Sequence, residues 1–532
     1  MIIRKQPSRP HGLNEPFRHE NHPRPMTRRE LIGAGFLSGP AIVTAPAWLG
    51  ALLKPDSARA TLDTDIGHLT LDPTCNIALG GGTKIPFICF DLAGGANLVG
   101  SEVLVGVQGG QTSFLSTAGY DKLGLPGNML PTVATNVNSE FGLLWHADGG
   151  ILRGMQSVTS AATRGGVNGA VICAMSQNDT QNNPHNPMYG IAQAGAKGKL
   201  LTLIGSESTV SGGNSVAPAA MIDPTLQPTK ISQSSDDTGL VGSGGGVTNP
   251  DQLPIMQAQA RISGGTNDAT VANAFANTAL GSSSTLLATS TADATLKDQV
   301  RCAYVKSAYT ADTIPNAAGL NPDLDANISG ASGILTTAQY QADNDFQKTA
   351  AVMKLVVNGF AAAGTITLGG YDYHDSTRAT GEMRNFHAGQ CIGMVLEYAK
   401  RVGKPVMVYV FSDGSLSSTG MPDNSTGGRG KLGWQGDNQS TASTFFLAYS
   451  PTGRPLPRNG AASQQIGFFN ADGSVNTTSS PAANATNLLV QTLVLNFMAL
   501  NGDEANFATT FPMQGLGSSS ARDALTVFSK LT

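Results

Sequence analysis

Short, continuous runs of apolar residues recur along this chain, and polar residues follow them directly. The run at 84–90 (KIPFICF) is followed by Asp91, and the run at 167–175 (VNGAVICAM) by Ser176. A third run lies at 200–204 (LLTLI). Apolar runs of this length without alternation are typical of strands that are buried on both faces of a sheet. The helix-length interval between the second and third runs predicts a βαβ unit, and therefore parallel strands.

The second half of the chain repeats this alternation. We predict helices at 346–360 and 380–402 and strands at 365–368, 406–411 and 441–449. The composition agrees, because 40% of the 532 residues are hydrophobic and only 13% are charged, which fits a large globular α/β protein better than a disordered chain. The expected fold is therefore an α/β fold with a mostly parallel sheet.

Composition also divides the chain into four segments. Residues 61–206 and 344–532 carry the strand and helix patterns and are interpreted as two halves of one α/β core. Residues 207–343 are rich in Ser, Gly, Thr, Ala and Asn, with few aromatic residues, and are interpreted as an insertion or cap. Residues 1–60 form a separate leader.

The leader has the pattern of a twin-arginine export signal. The segment 27–32 (TRRELI) precedes an apolar stretch at 31–53 and a small-x-small cleavage motif at 58–60 (ARA). A transmembrane helix is the alternative, but several helix-breaking residues weaken it: Gly33, Gly35, Gly39, Pro40 and Pro46. We therefore expect a periplasmic or secreted protein without a transmembrane span after cleavage. Met26 is a candidate for the true start.

Charge is distributed unevenly between the leader and the rest of the chain. Residues 1–60 carry nine Lys and Arg against four acids, which leaves 24 basic and 33 acidic residues in the remainder. An acidic surface argues against nucleic acid as a partner, because binding to phosphates needs basic patches.

The cysteines are odd in number, widely spaced and without any C-x-x-C motif, so neither a disulfide framework nor a cysteine zinc site is expected: Cys75, Cys89, Cys173, Cys302 and Cys391.

Polar residues that follow predicted strands form the candidate functional site. Parallel strands direct their carboxyl ends to one edge of a sheet, where ligands bind in open α/β folds. The residues at such ends are Asp91, Asn178, Asp372, His374 and Asp413. Several carboxylates are costly to desolvate together unless a positive charge neutralises them, and a divalent cation is the simplest source. Arg378 and Lys431 are alternative sources of that charge.

The segment 369–378 (GGYDYHDSTR) admits two interpretations. Asp372 and His374 have a spacing that suits a metal site. They also fit a polar turn in which the aspartate caps the following helix and the histidine makes a hydrogen bond. The residues alone leave both interpretations open.

The sequence resembles a group of bacterial twin-arginine-exported proteins, classed as a domain of unknown function within the alkaline phosphatase and sulfatase superfamily. The likeness spans nearly the whole chain after the leader. It rests on the export signal, on Asp91 with Gly94 and Gly95 after a strand, and on the strand before Ser412 and Asp413. It also rests on 141–143 (FGL) with His146 nearby, and on 369–374 (GGYDYH), where the family has Gly-Gly-Trp-Asp-Thr-His. The resemblance implies a three-layer α/β fold with helices on both faces of the sheet. It also implies a metal-centred cleft with Asp91, Asp372 and His374 as ligands.

The chain departs from the family at two further motifs. It has 412–415 (SDGS) where the family has Ser-Glu-Phe-Gly-Arg, and 437–439 (DNQ) where the family has Asp-His-Gly. A histidine ligand is thus replaced by an amide, and the two-metal arrangement of the superfamily cannot be completed. The candidate hydroxyl nucleophiles are Ser101 and Ser139.

Two functional hypotheses follow. The first is an exported hydrolase of phosphate or sulfate esters, on small-molecule or polymer substrates, with a divalent cation bound by Asp91, Asp372, His374, Asp413 and Asp437. The second is a non-catalytic envelope or secretion-associated protein that keeps the fold and binds a protein partner. The altered 437–439 motif favours the second hypothesis, and the retained Asp372-x-His374 pair favours the first.

Overall fold

The computed structural model describes residues 84–176, 183–240 and 319–531, together with the single positions 257, 302, 305, 308 and 309. The predicted export signal at 1–60 and Asn178 lie outside the described residues. The chain divides into two compact units, one of residues 71–240 and 316–532 and the other of residues 1–70 and 241–315. The sheet and the helices around it lie in the first of these units.

An eight-stranded sheet forms the centre of this unit, in the order β12-β4-β11-β8-β1-β7-β5-β6. Its strands are β1 (Phe87–Leu92), β4 (Val167–Ile172), β5 (Leu201–Gly205), β6 (Thr229–Lys230), β7 (Ala361–Leu368), β8 (Val406–Ser412), β11 (Thr444–Tyr449) and β12 (Gln465–Ile466). Two small antiparallel sheets pair β2 (Val137–Asn138) with β3 (Trp145–His146), and β9 (Leu416–Pro422) with β10 (Leu432–Asp437).

The main sheet is parallel except for β11, which runs antiparallel to both β4 and β8. β1 lies between β7 and β8, with Asp91 opposite Thr367 on one side and Phe411 on the other. Every residue of β1 is buried. The prediction of a mostly parallel α/β fold with strands buried on both faces is therefore confirmed.

Helices cover both faces of the sheet. The described helices are α1 (Thr117–Lys122), α2 (Gly150–Val158), α3 (Ala161–Gly165), α4 (Met188–Gln193), α5 (Ser234–Gly239), α6 (Thr337–Gln341), α7 (Asn344–Val357), α8 (Ala379–Arg401), α9 (Thr486–Asn501), α10 (Phe507–Thr510) and α11 (Ser519–Ala524).

Alternation along the strands decides which helices they meet. Phe87 packs edge-on against Phe497 of α9, with ring centroids 5.8 Å apart, and belongs to the apolar core that includes α4. The next residue of β1, Ile88, lies opposite Gly364, and a Cβ on that glycine would lie 2.5 Å from Val352 of α7. The sheet thus lies between one helix layer with α4 and α9 and another with α7, which packs against α8. This arrangement fits a three-layer α/β fold.

The segment 207–343, interpreted above as an insertion or cap, contributes directly to the core. It supplies β6, which pairs with β5 at the edge of the main sheet, and the loop that follows β5. Residues up to 240 belong to the same compact unit as the sheet, whereas 241–315 belong to the other unit. The composition change at 207 therefore does not mark the end of the core.

The cysteines differ in oxidation state. Cys302 is disulfide-bonded, contrary to the expectation from cysteine spacing, while Cys89, Cys173 and Cys391 are free and buried. The spacing of cysteines along the sequence did not predict this disulfide because a disulfide depends on distance in space.

Within the described parts of the chain, no helix combines the length and the apolar character needed to cross a bilayer.

Candidate metal site at the carboxyl edge of the sheet

The carboxyl ends of β1, β5, β7 and β8 meet at one edge of the sheet because these strands are parallel. Asp91 is the penultimate residue of β1, and Asp413 follows β8 directly. Asp372 and His374 lie in the loop after β7, and Asp437 is the last residue of β10. The metal ligands expected from the sequence thus come from four separate elements.

The backbone of Gly94 and Gly95 lies among these side chains. The Gly94 amide donates a hydrogen bond of 2.8 Å to Oδ1 of Asp413. A Cβ on Gly94 would lie 2.5 Å from the amide nitrogen of Asp372, and a Cβ on Gly95 would lie 3.6 Å from Oδ1 of Asp437. Gly94 also has a φ of +119°, a conformation that a residue with a side chain rarely adopts. Gly94 therefore lets the Asp372 backbone approach this loop closely, whereas a Cβ on Gly95 would make only an ordinary van der Waals contact with Asp437.

Three of the side chains form an exposed group. One ligand atom from each of Asp372, His374 and Asp437 lies within 4.8 Å of the other two. Nε2 of His374 is 3.0 Å from Oδ1 of Asp372. The negative charges of Asp372 and Asp437 raise the pKa of His374. This ring therefore lies in a field that also favours a metal cation.

The other two carboxylates are buried. Asp91 is 0% exposed and accepts hydrogen bonds from the amide and the hydroxyl of Ser215, at 2.7 and 3.1 Å. Burial raises the pKa of Asp91 to about 6. Burial, and then the nearby charges of Asp91 and Asp372, raise the pKa of Asp413 to about 7. Because burial is the largest cause of both shifts, each carboxyl group is costly to ionise unless a positive charge lies nearby.

The basic residues that could have balanced this charge are engaged elsewhere. Arg378 is 0% exposed and contacts Glu382, with Nε 2.9 Å from Oε1. Lys431 is also 0% exposed and lies 2.8 Å from the same Glu382 oxygen. Among the described residues, no lysine or arginine forms an ion pair with Asp91, Asp372 or Asp413. The alternative that Arg378 and Lys431 neutralise the candidate site is therefore not supported.

The two candidate nucleophiles do not contact these carboxylates. Ser101 is 0% exposed, and its hydroxyl accepts a hydrogen bond of 2.7 Å from Nη2 of Arg378. That guanidinium in turn lies over the ring of Trp434, at 4.4 Å from its centroid. Ser139 lies in an exposed turn, where its carbonyl accepts from the amide of Gly142. Ser101 thus belongs to a buried ionic network and Ser139 to the surface.

The loop after β5 contributes residues that the sequence reasoning missed. Ser215 holds Asp91, and Nδ2 of Asn214 lies 3.5 Å from Oδ2 of Asp413. Gly213 allows this approach, since a Cβ there would lie 2.9 Å from Oδ2 of Asp91. A signal was present, because 211–215 (SGGNS) places a glycine pair and polar residues after a strand, as 91–95 does.

His185 is a second missed residue. Its Nδ1 donates to the carbonyl oxygen of Ser412 at 2.8 Å, next to Asp413, and its Nε2 is buried without a hydrogen-bond partner among the described residues. Burial lowers the pKa of His185 to about 4, so the ring is neutral at pH 7. His185 therefore holds the end of β8 and acts as a positioning residue for Asp413.

A second group of potential ligands lies at the start of α7. Nε2 of His387, in α8, is 3.7 Å from Asp343 and 3.4 Å from Asp345. Lys348 contacts Asp345 at 2.9 Å and already balances part of this charge. The first group is therefore the stronger candidate.

Comparisons with known proteins give no relative. No protein-family model, no curated protein and no solved structure matches this chain.

Proposed function

We propose that this protein is an exported, metal-dependent hydrolase of phosphate or sulfate esters. The observation that carries the proposal is the grouping of Asp372, His374 and Asp437 beside two buried carboxyl groups that lack a basic partner among the described residues. The twin-arginine signal and the resemblance to the alkaline phosphatase superfamily supply the compartment and the reaction class.

The donor set fits a divalent cation. The group offers carboxylate oxygens and one imidazole nitrogen, which suit zinc, manganese and, in oxygen-rich sites, magnesium or calcium. Asp372, His374 and Asp437 would hold the cation, and Asp413 and Asp91 would add negative charge behind them. A bound divalent cation would polarise an ester oxygen and lower the pKa of a water or hydroxyl nucleophile.

The residues of the chain have distinct tasks in this proposal. Ser215 and Gly94 hold Asp91 and Asp413 in place by hydrogen bonds to their carboxylates. His185 fixes the carbonyl that precedes Asp413. Because the Ser101 hydroxyl is buried against Arg378, a water molecule is the simpler nucleophile.

Export has independent support from the disulfide at Cys302, since disulfide bonds persist mainly in oxidising compartments. An oxidised cysteine is therefore easier to reconcile with a periplasmic or secreted protein than with a cytoplasmic one.

The test is metal analysis of the full-length exported protein, combined with turnover of nitrophenyl phosphate and nitrophenyl sulfate. We expect stoichiometric divalent metal, and a loss of metal affinity and turnover of about 100-fold in Asp372→Asn and in His374→Gln. Asp375→Asn is the matched control, because Asp375 is exposed in the same loop and its carboxylate accepts hydrogen bonds from Thr377 and Thr380.

A second candidate function is a non-catalytic envelope protein with one structural cation that binds a protein partner. The observation in its favour is that Asn438, which replaces the family histidine, caps a turn by accepting hydrogen bonds from the amide and hydroxyl of Ser440. A metal-loaded protein without turnover on either ester class would support this candidate. A folded protein that binds no divalent cation would contradict both.

A further inference from the structure

A basic cavity lies at the opposite, amino-terminal edge of the sheet. Its volume is about 500 Å³, and none of the described residues that line it is acidic. Five of the chain's fifteen lysines line it: Lys84, Lys197, Lys199, Lys404 and Lys530. Its floor is apolar and includes Ile85, Val357 and Leu500. Such a concentration of positive charge is unexpected on a chain that is acidic outside its leader.

The topology explains why these lysines meet. Lys84 lies three residues before β1, Lys199 two residues before β5, and Lys404 two residues before β8. Parallel strands place their amino ends at one edge, just as their carboxyl ends gather the aspartates at the other. The lysines of three separate segments therefore converge by the same geometry as the candidate metal ligands.

Most of these lysines lack an acidic partner in the part of the chain that the structure describes. Lys84 pairs with Asp503, which lies beside the cavity. Among the described residues, no ion pair involves Lys197, Lys199, Lys404 or Lys530. The ammonium group of Lys199 instead lies 5.9 Å from the centroid of the Phe360 ring. The cavity therefore keeps a positive charge of about four after its one ion pair is counted.

Helix dipoles account for only part of this charge. α7 ends at Val357 and α9 at Asn501, and both residues line the cavity. Each helix carboxyl end carries roughly half a negative charge, which favours nearby lysines. Two such ends balance about one of the four remaining charges. A substantial positive potential is left for a ligand.

We propose that this cavity binds a small polyanion, a ligand with two or more phosphate, sulfate or carboxylate groups. Its volume falls within the range of small-molecule sites. Lysine ammonium groups bind such anions as point charges that converge from several directions. The apolar floor accommodates the carbon skeleton of the ligand.

This cavity is separate from the candidate metal site. Lys84 and Asp91 are seven residues apart along β1 and its lead-in, which corresponds to about 23 Å of extended chain. A small ligand cannot contact both groups. The inference therefore does not depend on the proposed function.

The test is isothermal titration calorimetry of the full-length exported protein with tripolyphosphate and, in a parallel arm, with citrate, after protein and buffer have been freed of divalent metal on a chelating resin so that no metal bridges the ligand. We expect one molecule bound per chain, with an affinity that falls as salt increases. The Lys197→Gln/Lys199→Gln/Lys530→Gln variant should weaken binding at least about tenfold. The two arms distinguish a phosphate ligand from a polycarboxylate.

Lys230→Gln is the matched control, because Lys230 is exposed in β6, outside the cavity. Its binding should equal that of the wild type. The proposal is overturned if neither anion binds, if the triple variant binds as well as the wild type, or if Lys230→Gln weakens binding to the same extent. Circular dichroism of the triple variant checks that it is folded, and all three lysines are at least partly exposed, so the substitutions leave no buried cavity.

Discussion

The carboxylate of Asp413 accepts a hydrogen bond of 2.8 Å from the backbone amide of Gly94. This contact joins the end of β8 to the loop after β1, two segments that are 319 residues apart in sequence. It also keeps Asp413 next to Asp91, although the charge of Asp91 raises the cost of ionising Asp413. A site that holds like charges together without a basic partner is typical of a cation site.

The first prediction concerns the pH dependence of stability in Asp413→Asn. The folded-state pKa of Asp413, about 7, lies above its value in the unfolded chain, so the folded state binds more protons between about pH 4 and 7. Its contribution to stability is therefore present at low pH and is lost as the pH rises through 7. Without metal, Asp413→Asn should exceed the wild type in stability by about 1–2 kcal/mol at pH 5 and by about 4 kcal/mol at pH 8.

Urea unfolding at both pH values in EDTA measures this effect. The comparison between variant and wild type is necessary because His146 and His185 titrate with the opposite sign, as burial lowers the pKa of each to about 4. A saturating divalent cation should remove the advantage of the variant at pH 8. An unchanged difference between pH 5 and pH 8 would contradict the raised pKa.

The second prediction compares two glycines of the site. Gly94 has a φ of +119°, and Gly94→Ala would place a Cβ 2.5 Å from the amide nitrogen of Asp372. We therefore expect the free energy of unfolding to fall by about 2 kcal/mol or more, and metal binding to weaken. Gly369→Ala lies in the same region but meets no atom within 4 Å and should stay within about 0.5 kcal/mol of the wild type. Thermal unfolding and metal titration check both, and equal behaviour of the two variants would refute the close approach at Gly94.

The third prediction concerns the two serines named from the sequence. Ser101→Ala removes the acceptor of the Arg378 hydrogen bond and should cost about 1–3 kcal/mol, because a buried charged donor is left without its partner. Ester turnover should stay within about threefold of the wild type. Ser139→Ala, in an exposed turn, should change neither quantity. A folded, metal-loaded Ser101→Ala protein without turnover would identify Ser101 as the nucleophile.

The fourth prediction concerns the buried ionic network. Lys431→Met removes a cation that contacts Oε1 of Glu382, whose side chain is 4% exposed, so Arg378 is left to compensate the charge at that oxygen. We expect the free energy of unfolding to fall by about 3–5 kcal/mol. The double variant Lys431→Met/Glu382→Gln should recover part of this loss. Urea unfolding of these two variants and of the single variant Glu382→Gln measures the coupling, and additive effects would show that the two side chains act independently.

Much of the fold could be predicted from the sequence because burial on both faces leaves a strong local signal. The run predicted as a strand at 84–90 is β1 at Phe87–Leu92, and the helix predicted at 380–402 is α8 at Ala379–Arg401. The antiparallel direction of β11 could not be predicted, since its apolar pattern is the same in either direction. The short strand β6 carries no apolar run and was assigned to an insertion.

The candidate site could be predicted in part, for reasons of the same kind. Asp91 and Asp413 follow strong strand signals, so the edge they share follows from topology alone. The partners of these carboxylates could not be predicted, because Ser215 and His185 come from loops whose course depends on tertiary packing. The basic cavity could not be predicted either, because the net charge of a chain does not show where its lysines cluster in the fold.

The two edges of the sheet carry opposite charge, with aspartates at the carboxyl ends of the strands and lysines at their amino ends. Separated charges of this kind give the folded unit a permanent electric dipole moment along the strand direction, opposed in sense to the dipoles of helices that return antiparallel to the strands. Near a charged surface such a molecule experiences a torque. It would approach an anionic surface with its lysine edge leading and its aspartate edge turned outward to the solvent.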